Sequence, residues 1–244
     1  MELELIQDKV YCKIYDKTYN GSSGIYSLHK YSDAAKLLEI KSNRASIKSN
    51  LGAKHVVFLK QVHGNKVICA DSIDYTQPLE GDAHITTHNN IALAINTADC
   101  VPVLFASEDG AVIGAAHCGW RSVKAGIINN MQAMMKMRNS RNIKAIIGPA
   151  IAQESYEVDM NYYKEFINMN VEYKELFIPS KNKNHFMFDL VGLVKKQLLQ
   201  LGIEIVHIIN EDTYVMPEKY PSYRRASHQG RQHTQNILST IIIK

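Results

Sequence analysis

The chain has 244 residues, of which 45% are hydrophobic and 21% charged, and 28 Lys+Arg against 24 Asp+Glu leave a formal net charge of +4. Those proportions suit a soluble globular protein with a substantial core. The charge is too mild and too evenly mixed to argue for a nucleic-acid partner. No uncharged apolar stretch reaches the ~18 residues that a membrane span needs, so no membrane partner is expected. The start, MELELIQDKVYCKIYD, lacks the basic and apolar regions of a secretory signal. Cys12, Cys69, Cys100 and Cys118 are scattered with no C-x-x-C spacing, which points to reduced thiols in a cytoplasm and away from a disulfide framework. Arginine is scarce, seven residues against 21 lysines, yet Arg224, Arg225 and Arg231 fall close together; a solvated basic loop and an anion-binding loop fit that cluster equally.

Residues 9–14 alternate and predict a first strand, and 19–24 (YNGSSG) a Gly/Ser turn. Residues 32–51 predict one or two helices, with Ser32 and Asp33 suited to the N-cap and Gly52 to the C-cap. Strands are expected at His55–Leu59, before Gln61-Val62-His63-Gly64, and at Lys66–Ala70, with a polar loop running on to Glu80. Three apolar runs, Ile91–Ile95, Val101–Ala106 and Ala111–Ala116, have the length and composition of buried strands. Ser122–Arg138 reads as one helix, whose Val123, Ile127, Met131 and Met134/Met135 recur at helical spacing as core filling. A strand at Ile143–Ile147, a helix at Asn161–Asn170 and an exposed loop at 181–184 follow. Asp189 is placed to cap a helix to about Gln200, with Gly202 beyond it. A buried strand at Ile203–Ile209, a polar loop at 221–233 and a last strand at Ile237–Ile243 complete the chain. No repeat or linker divides it. The expected fold is α/β (α+β), a single-domain layered sandwich of mixed β-sheet and helices over residues 1–244.

The chemistry is concentrated in residues 81–121, where Thr97-Ala98-Asp99-Cys100 lies between two apolar strands and His117-Cys118-Gly119-Trp120-Arg121 ends a third. His63 in QVHG adds a nitrogen ligand from another strand end. His63, Cys100 and His117 are separated by 37 and 17 residues, which matches no short zinc-finger pattern, but ligands from separate strand ends are common in catalytic metal sites. A His2Cys set is a known three-ligand arrangement for catalytic zinc. The same residues also admit a metal-free reading, with Cys100 as nucleophile and His117 as its base. Each has a bland reading too: a small buried thiol, a core histidine, a solvent-facing turn. His84 and His88 are read as surface residues of a polar turn. Cys118 is expected to point away from His117, and Trp120 either to stack on a ligand or to pack in the core.

The ordered set QVHGNKV, GDAHITT, TADCVPVLF, IGAAHCGWR, IGPAI and SYRR, supported by Asn43-Arg44 and Gly230-Arg231, resembles the laccase-domain family over roughly residues 20 to 243. That family is described both as multicopper polyphenol oxidoreductases and as zinc-dependent purine nucleoside phosphorylases that also deaminate adenosine. The resemblance implies one Zn2+ per chain, with Cu2+ as the alternative, held by His63, Cys100 and His117. It implies Arg44, Arg121, Arg224 and Arg225 as substrate- or phosphate-facing positions. Purine nucleosides and phosphate are the implied partners; oligomeric state is left open. Relatives often carry cysteines after the IGP motif and before SYRR, where this chain has Ala150, Ser155 and Asp212. Fewer soft ligands weaken the case for a multicopper centre.

The implied reaction is phosphorolysis of adenosine, inosine or S-methyl-5′-thioadenosine, with a second activity that deaminates adenosine through a zinc-activated water. Arg44 and Arg224 or Arg225 are the expected phosphate holders, and Asp99 the expected proton shuttle beside the catalytic trio Cys100, His117 and His63. Alternatives are a copper-dependent phenol oxidase, a Cys–His hydrolase or editing enzyme of peptidoglycan precursors, and a non-catalytic interaction protein.

Overall fold

The structure is a computed structural model and describes residues 1–19, 21–27, 30–74 and 79–244. Asn20 of the expected Gly/Ser turn and residues 75–78 of the expected polar loop lie outside these. Among the described residues, one six-stranded sheet has the order β1 (Glu2–Ile6), β2 (Val10–Tyr15), β15 (Ile237–Ile243), β7 (Ile91–Thr97), β3 (His55–Lys60) and β5 (Leu79–Glu80). A second has the order β14 (Glu204–Ile208), β10 (Ile143–Ile147), β8 (Val101–Ser107), β9 (Ile113–Cys118), β6 (Ala83–Thr86) and β4 (Val67–Cys69). Strands β7, β8, β9 and β15 are buried at every position. Their apolar runs do not alternate because both faces of each sheet are covered.

The two sheets pack face to face through Val57, Leu93, Ile95, Leu104, Ile113, Ala115, Ile146 and Ile241. Outside the first sheet lies α1 (Ala34–Leu51), whose Ile47 and Leu51 meet Ala92, Ala94, Leu238 and Ile242. Outside the second lie α2 (Trp120–Lys124), α3 (Ile127–Lys136) and α5 (Leu190–Gln200), with Ile127, Met131, Met135, Leu193 and Leu198 against Val103, Phe105 and Ala145. The layers therefore run helix, sheet, sheet, helix. A small antiparallel sheet, β11 (Glu157–Asp159), β13 (His185–Phe188) and β12 (Phe177–Pro179), and α4 (Met160–Met169) extend the outer layer through a Tyr/Phe cluster around Phe166. The expected layered sandwich is the fold observed.

Local signals explain most boundaries. Asp33 accepts from the Lys36 N–H at the start of α1, and Gly52 ends it at φ +62° with its N–H on Lys48 O and Ser49 O. Asp189 caps α5 by accepting from the Gly192 N–H. Three readings are corrected. The helix expected over 122–138 is two helices, broken where Gly126 adopts φ +87°, a left-handed turn that glycine accepts without strain. The third central strand begins at Ile113, two residues late, because Ser107, Asp109 and Val112 close a side-chain-bonded turn before it. His84 is not a surface residue: it lies in β6, paired with Ala115 and fully buried. His88 is exposed, as expected.

The feature that positions the site is where the chain changes sheets. Strands β3, β5 and β7 are parallel neighbours, so their C-terminal ends share one edge of the sandwich. From each of them the chain crosses directly to the second sheet, through residues 61–66, Gly81-Asp82 and 98–100 respectively. The β8–β9 pair, with Pro102 opposite His117, brings the end of β9 to that same edge.

Candidate metal centre and its cavity

His63, Asp82 and Cys100 all sit in these crossings, and His117 is the penultimate residue of β9. Neighbouring side chains on β9 alternate: Ala116 and Cys118 face the helix layer, while Ile113 and Ala115 face the opposing sheet. His117 is therefore turned to the inter-sheet side and Cys118 away from it, as the alternation of a strand requires. Burial keeps the Cys118 thiol protonated.

The structure brings the three expected ligands together. Nitrogen atoms of His63 and His117 and the Cys100 Sγ all lie within 4.8 Å of one another. Cys100 Sγ stands 4.0 Å from His63 Nε2, and the two imidazoles meet edge to face with centroids 4.6 Å apart. Gly119 closes the floor: a Cβ there would stand 3.0 Å from His63 Cδ2 and 3.1 Å from Cys100 Sγ. One thiolate and two imidazoles converging on an open cavity fit a single zinc-like ion, with room for a further ligand. Among the described residues, no second His/Cys/Asp/Glu group has such spacing.

Asp82, unremarked in the GDAHITT motif, organises the cluster. Its side chain is fully buried, and Oδ1 accepts from His117 Nδ1 at 2.8 Å and from the His63 N–H at 2.9 Å. Oδ2 accepts from the N–H groups of Gly64 (2.7 Å) and Val62 (3.1 Å), while the Asp82 carbonyl accepts from the His117 N–H at 2.7 Å. One carboxylate thus fixes the His117 tautomer, leaves Nε2 for a ligand, and pins the loop that holds His63 at φ +60°. Burial opposes its ionisation, but the His117 hydrogen bond and charge and the loop N–H groups hold its pKa below the ordinary carboxylate value.

Charge follows from this packing. Burial resists ionisation of Cys100, yet His117 and then His63 outweigh it and bring the thiol down to about 6. Burial likewise opposes charging of His117, and the Cys100 thiolate with Asp82 raises it to about 9. Without a metal the pair is a thiolate–imidazolium couple, and the thiolate is the form that binds a metal or attacks an electrophile.

The cluster opens into a cavity of about 660 Å³. Trp120, Tyr156 and Tyr223 supply aromatic rings, Gln61, Asn96, Asn236 and His233 polar groups, and Lys30, Arg121 and Arg224 the positive side. Trp120 packs on Tyr162 at 4.9 Å and also lines the cavity, with Arg121 stacked 4.4 Å from its ring. Arg224 lies 5.0 Å over Tyr156 and donates to the Glu157 carbonyl.

Three expected roles are redirected. Arg44 is not among the cavity-lining residues; it donates twice to the Tyr26 carbonyl and stacks 4.0 Å from Phe58. Arg225 donates to the carbonyls of Thr213, Tyr214 and Tyr220 and is also outside the lining. Asp99, at φ +84°, reaches the lining, but Oδ1 accepts from Thr213 Oγ1 (2.7 Å) and Oδ2 from Ser222 Oγ (3.0 Å) and the Arg224 N–H (2.7 Å). Both its oxygens are engaged, so it ties the SYRR segment to the Cys100 crossing. The loop expected at 221–233 contains α6 (Tyr223–His228), started by Ser222. Ser155 Oγ donates to Asp212, which pairs with Ala150, so a hydrogen bond occupies the region where relatives carry cysteines.

Fold and site together define a two-sheet sandwich protein with a His/Cys pocket at one edge. The chain belongs to the multi-copper polyphenol oxidoreductase laccase family, whose model matches residues 22–239. It is 45% identical to a Rickettsia conorii protein named purine nucleoside phosphorylase RC0672 over 240 residues, 98% of this chain and 99% of the relative. It is 31% identical to purine nucleoside phosphorylase PA4543 of Pseudomonas aeruginosa over 79% of this chain and 77% of that one. Among solved structures, Neisseria meningitidis protein NMB0706 superposes with a TM-score of 0.84 at 26% identity, covering 98% and 96% of the two chains.

Proposed function

We propose that this protein is a purine nucleoside phosphorylase acting on adenosine, inosine and S-methyl-5′-thioadenosine, with a second activity that converts adenosine and water to inosine and ammonia. The observation that carries this reading is a His63–Cys100–His117 cluster opening into a cavity with aromatic and cationic walls. About 660 Å³ suits a nucleoside with an anion beside it, since small-ligand sites span about 300–1,000 Å³. In phosphorolysis a phosphate oxygen bonds to ribose C1′ as the C1′–N9 bond breaks, and the electron pair leaves with the purine, which takes a proton. Trp120 and Tyr156 offer faces for the base, and Arg121 and Arg224 offer charge for phosphate. Zn2+, or Cu2+ in its place, held by His63, Cys100 and His117, would supply Lewis-acid polarisation at the cavity floor. Asp82 keeps His117 Nε2 directed there. The names of the relatives support the same reading.

The test is phosphate-dependent release of purine from adenosine, inosine and methylthioadenosine, with elemental analysis of the same sample. Release at equal rates without phosphate, or none from any nucleoside, overturns it. Cys100→Ala should lose bound metal and both activities. A second reading is favoured by the low pKa of Cys100 beside His117: a metal-free Cys–His hydrolase. Full activity after metal removal, abolished by iodoacetamide, would establish that alternative. A multicopper phenol oxidase needs several clustered ligand sets, and oxygen uptake with phenols would reinstate it.

A further inference from the structure

We infer that the phosphate co-substrate sits against Lys30 and His233, with Arg224 on the same cavity; this rests on the phosphorylase reading above. Neither Lys30 nor His233 belongs to the arginine set implied by the family motifs. They come from opposite ends of the chain and are brought together by a specific pairing. The Asn236 N–H donates to the Gly24 carbonyl at 2.7 Å, and Gln235 Nε2 donates to the Ser23 carbonyl at 3.1 Å. Asn43 of α1 holds the same segment by donating to the Ile25 carbonyl (2.9 Å) and Ser23 Oγ (2.8 Å). Ser27 and Lys30, beyond the first of these segments, and His233 and Asn236 of the second line the cavity that His63, Cys100 and His117 open into.

The charges of that wall are unbalanced. Lys30, Arg121 and Arg224 line the cavity against one carboxylate, Asp99, and both oxygens of Asp99 are engaged by Thr213, Ser222 and the Arg224 backbone. Burial lowers the pKa of Lys30. Burial also lowers that of His233; the Asn236 side chain opposes this and the Lys30 charge adds to it, and both groups line the same cavity. An anion between them offsets the Lys30 charge and gains two charge-assisted hydrogen bonds. The positions are also held: His233 is hydrogen-bonded by Asn236 and lies edge-on to Tyr223, 5.9 Å between centroids. Arg224 is anchored through the Glu157 carbonyl at 2.7 Å. Two cations, Lys30 and Arg224, with the His233 imidazole on the same cavity match a phosphate dianion better than a neutral nucleoside, whose base has the rings of Trp120 and Tyr156 there.

The experiment is binding of inorganic phosphate to the full-length, metal-loaded protein by titration calorimetry, beside steady-state kinetics with inosine. Wild type is compared with Lys30→Ala, His233→Gln and the charge-keeping Lys30→Arg. The expected result is a Kd and KM for phosphate raised about tenfold or more in Lys30→Ala and His233→Gln, as loss of a hydrogen bond to a charged group implies. The inosine KM should move far less, and Lys30→Arg should recover most of the loss. Phosphate affinity unchanged in both variants, or equal rises in the phosphate and inosine KM, overturns the assignment. If wild type turns over no nucleoside yet binds phosphate through these residues, the phosphorylase reading falls and the anion seat stands. If wild type is phosphate-dependent and both variants match it, the seat falls and the reading stands.

Discussion

Asp82 accepts four hydrogen bonds from backbone and imidazole donors with a single buried carboxylate. Asp82→Asn keeps the shape but puts an N–H where an acceptor is required, so metal affinity measured by chelator competition should fall about 10–100-fold. Wild-type affinity in that variant would separate Asp82 from the cluster. Cys100 sets a second expectation. Its depressed pKa means that the thiolate persists above about 6 and is lost as pH falls below it. Iodoacetamide labelling of metal-stripped protein should therefore reach half its plateau rate near pH 6, and a midpoint near the ordinary thiol value of about 8.5 would contradict the coupling to His117. His84 is the residue that the sequence misplaced. Among the described residues neither ring nitrogen has a partner in the inter-sheet core, and burial lowers its pKa to about 3. The unfolded chain then binds a proton that the folded one refuses, so stability should fall as pH drops from about 6.5 towards 3. His84→Leu should remove that slope and raise stability by about 1–2 kcal/mol, as read by urea unfolding at pH 5 and pH 8.

At the scale of elements, the site is made by connections between sheets. The QVHG, Gly81-Asp82 and ADC segments each carry the chain across the sandwich at one edge. That is why residues far apart in sequence stand within a few ångströms. Gly119 is the pivot between β9 and α2, and Gly119→Ala would push a methyl against Cys100 and His63. Metal binding should weaken while the helix layer stays intact, a combination that chelator titration with far-UV circular dichroism would reveal. Asp99 ties the Cys100 crossing to Thr213, Ser222 and Arg224. Asp99→Ala should cost about 2–4 kcal/mol, three hydrogen bonds being lost, two of them from buried hydroxyls. It should also speed hydrogen exchange in residues 213–228 well beyond that in β8. Uniform loss of protection would show that Asp99 acts on the whole fold instead.

For the whole molecule, the helix–sheet–sheet–helix order buries its core twice, between the sheets and beneath α2, α3 and α5. Among the described residues no helix is long and apolar enough to cross a membrane. The metal cluster lies where three chain crossings and one strand end meet, so an ion bound there joins both sheets. Ligand linkage then predicts that zinc at about 100 times its Kd stabilises the protein by about 2.7 kcal/mol, lost on chelation. A melting temperature indifferent to zinc and to chelator would mean that the cluster binds no such ion.

Composition and apolar runs were enough to determine the layered α/β class, because a strand covered on both faces must be apolar throughout. The caps of α1 and α5 and the core stripe of α3 were legible for the same kind of local reason: capping and helical spacing act within a few residues. Ordered motifs also marked His63, Cys100 and His117, and residue type alone suggested their chemistry. Only the tertiary structure decided how the rest is used. Arg44 and Arg225 read as anion binders until their guanidiniums are seen on backbone carbonyls, and nothing local in Asp99 announces that it ties Thr213, Ser222 and Arg224 to the Cys100 crossing. Asp82, Lys30 and His233 carried no local signal, since such side chains acquire their roles through contacts that span 18 to 212 residues. Those contacts arise from chain crossings and terminal pairing, which spacing along the sequence does not encode.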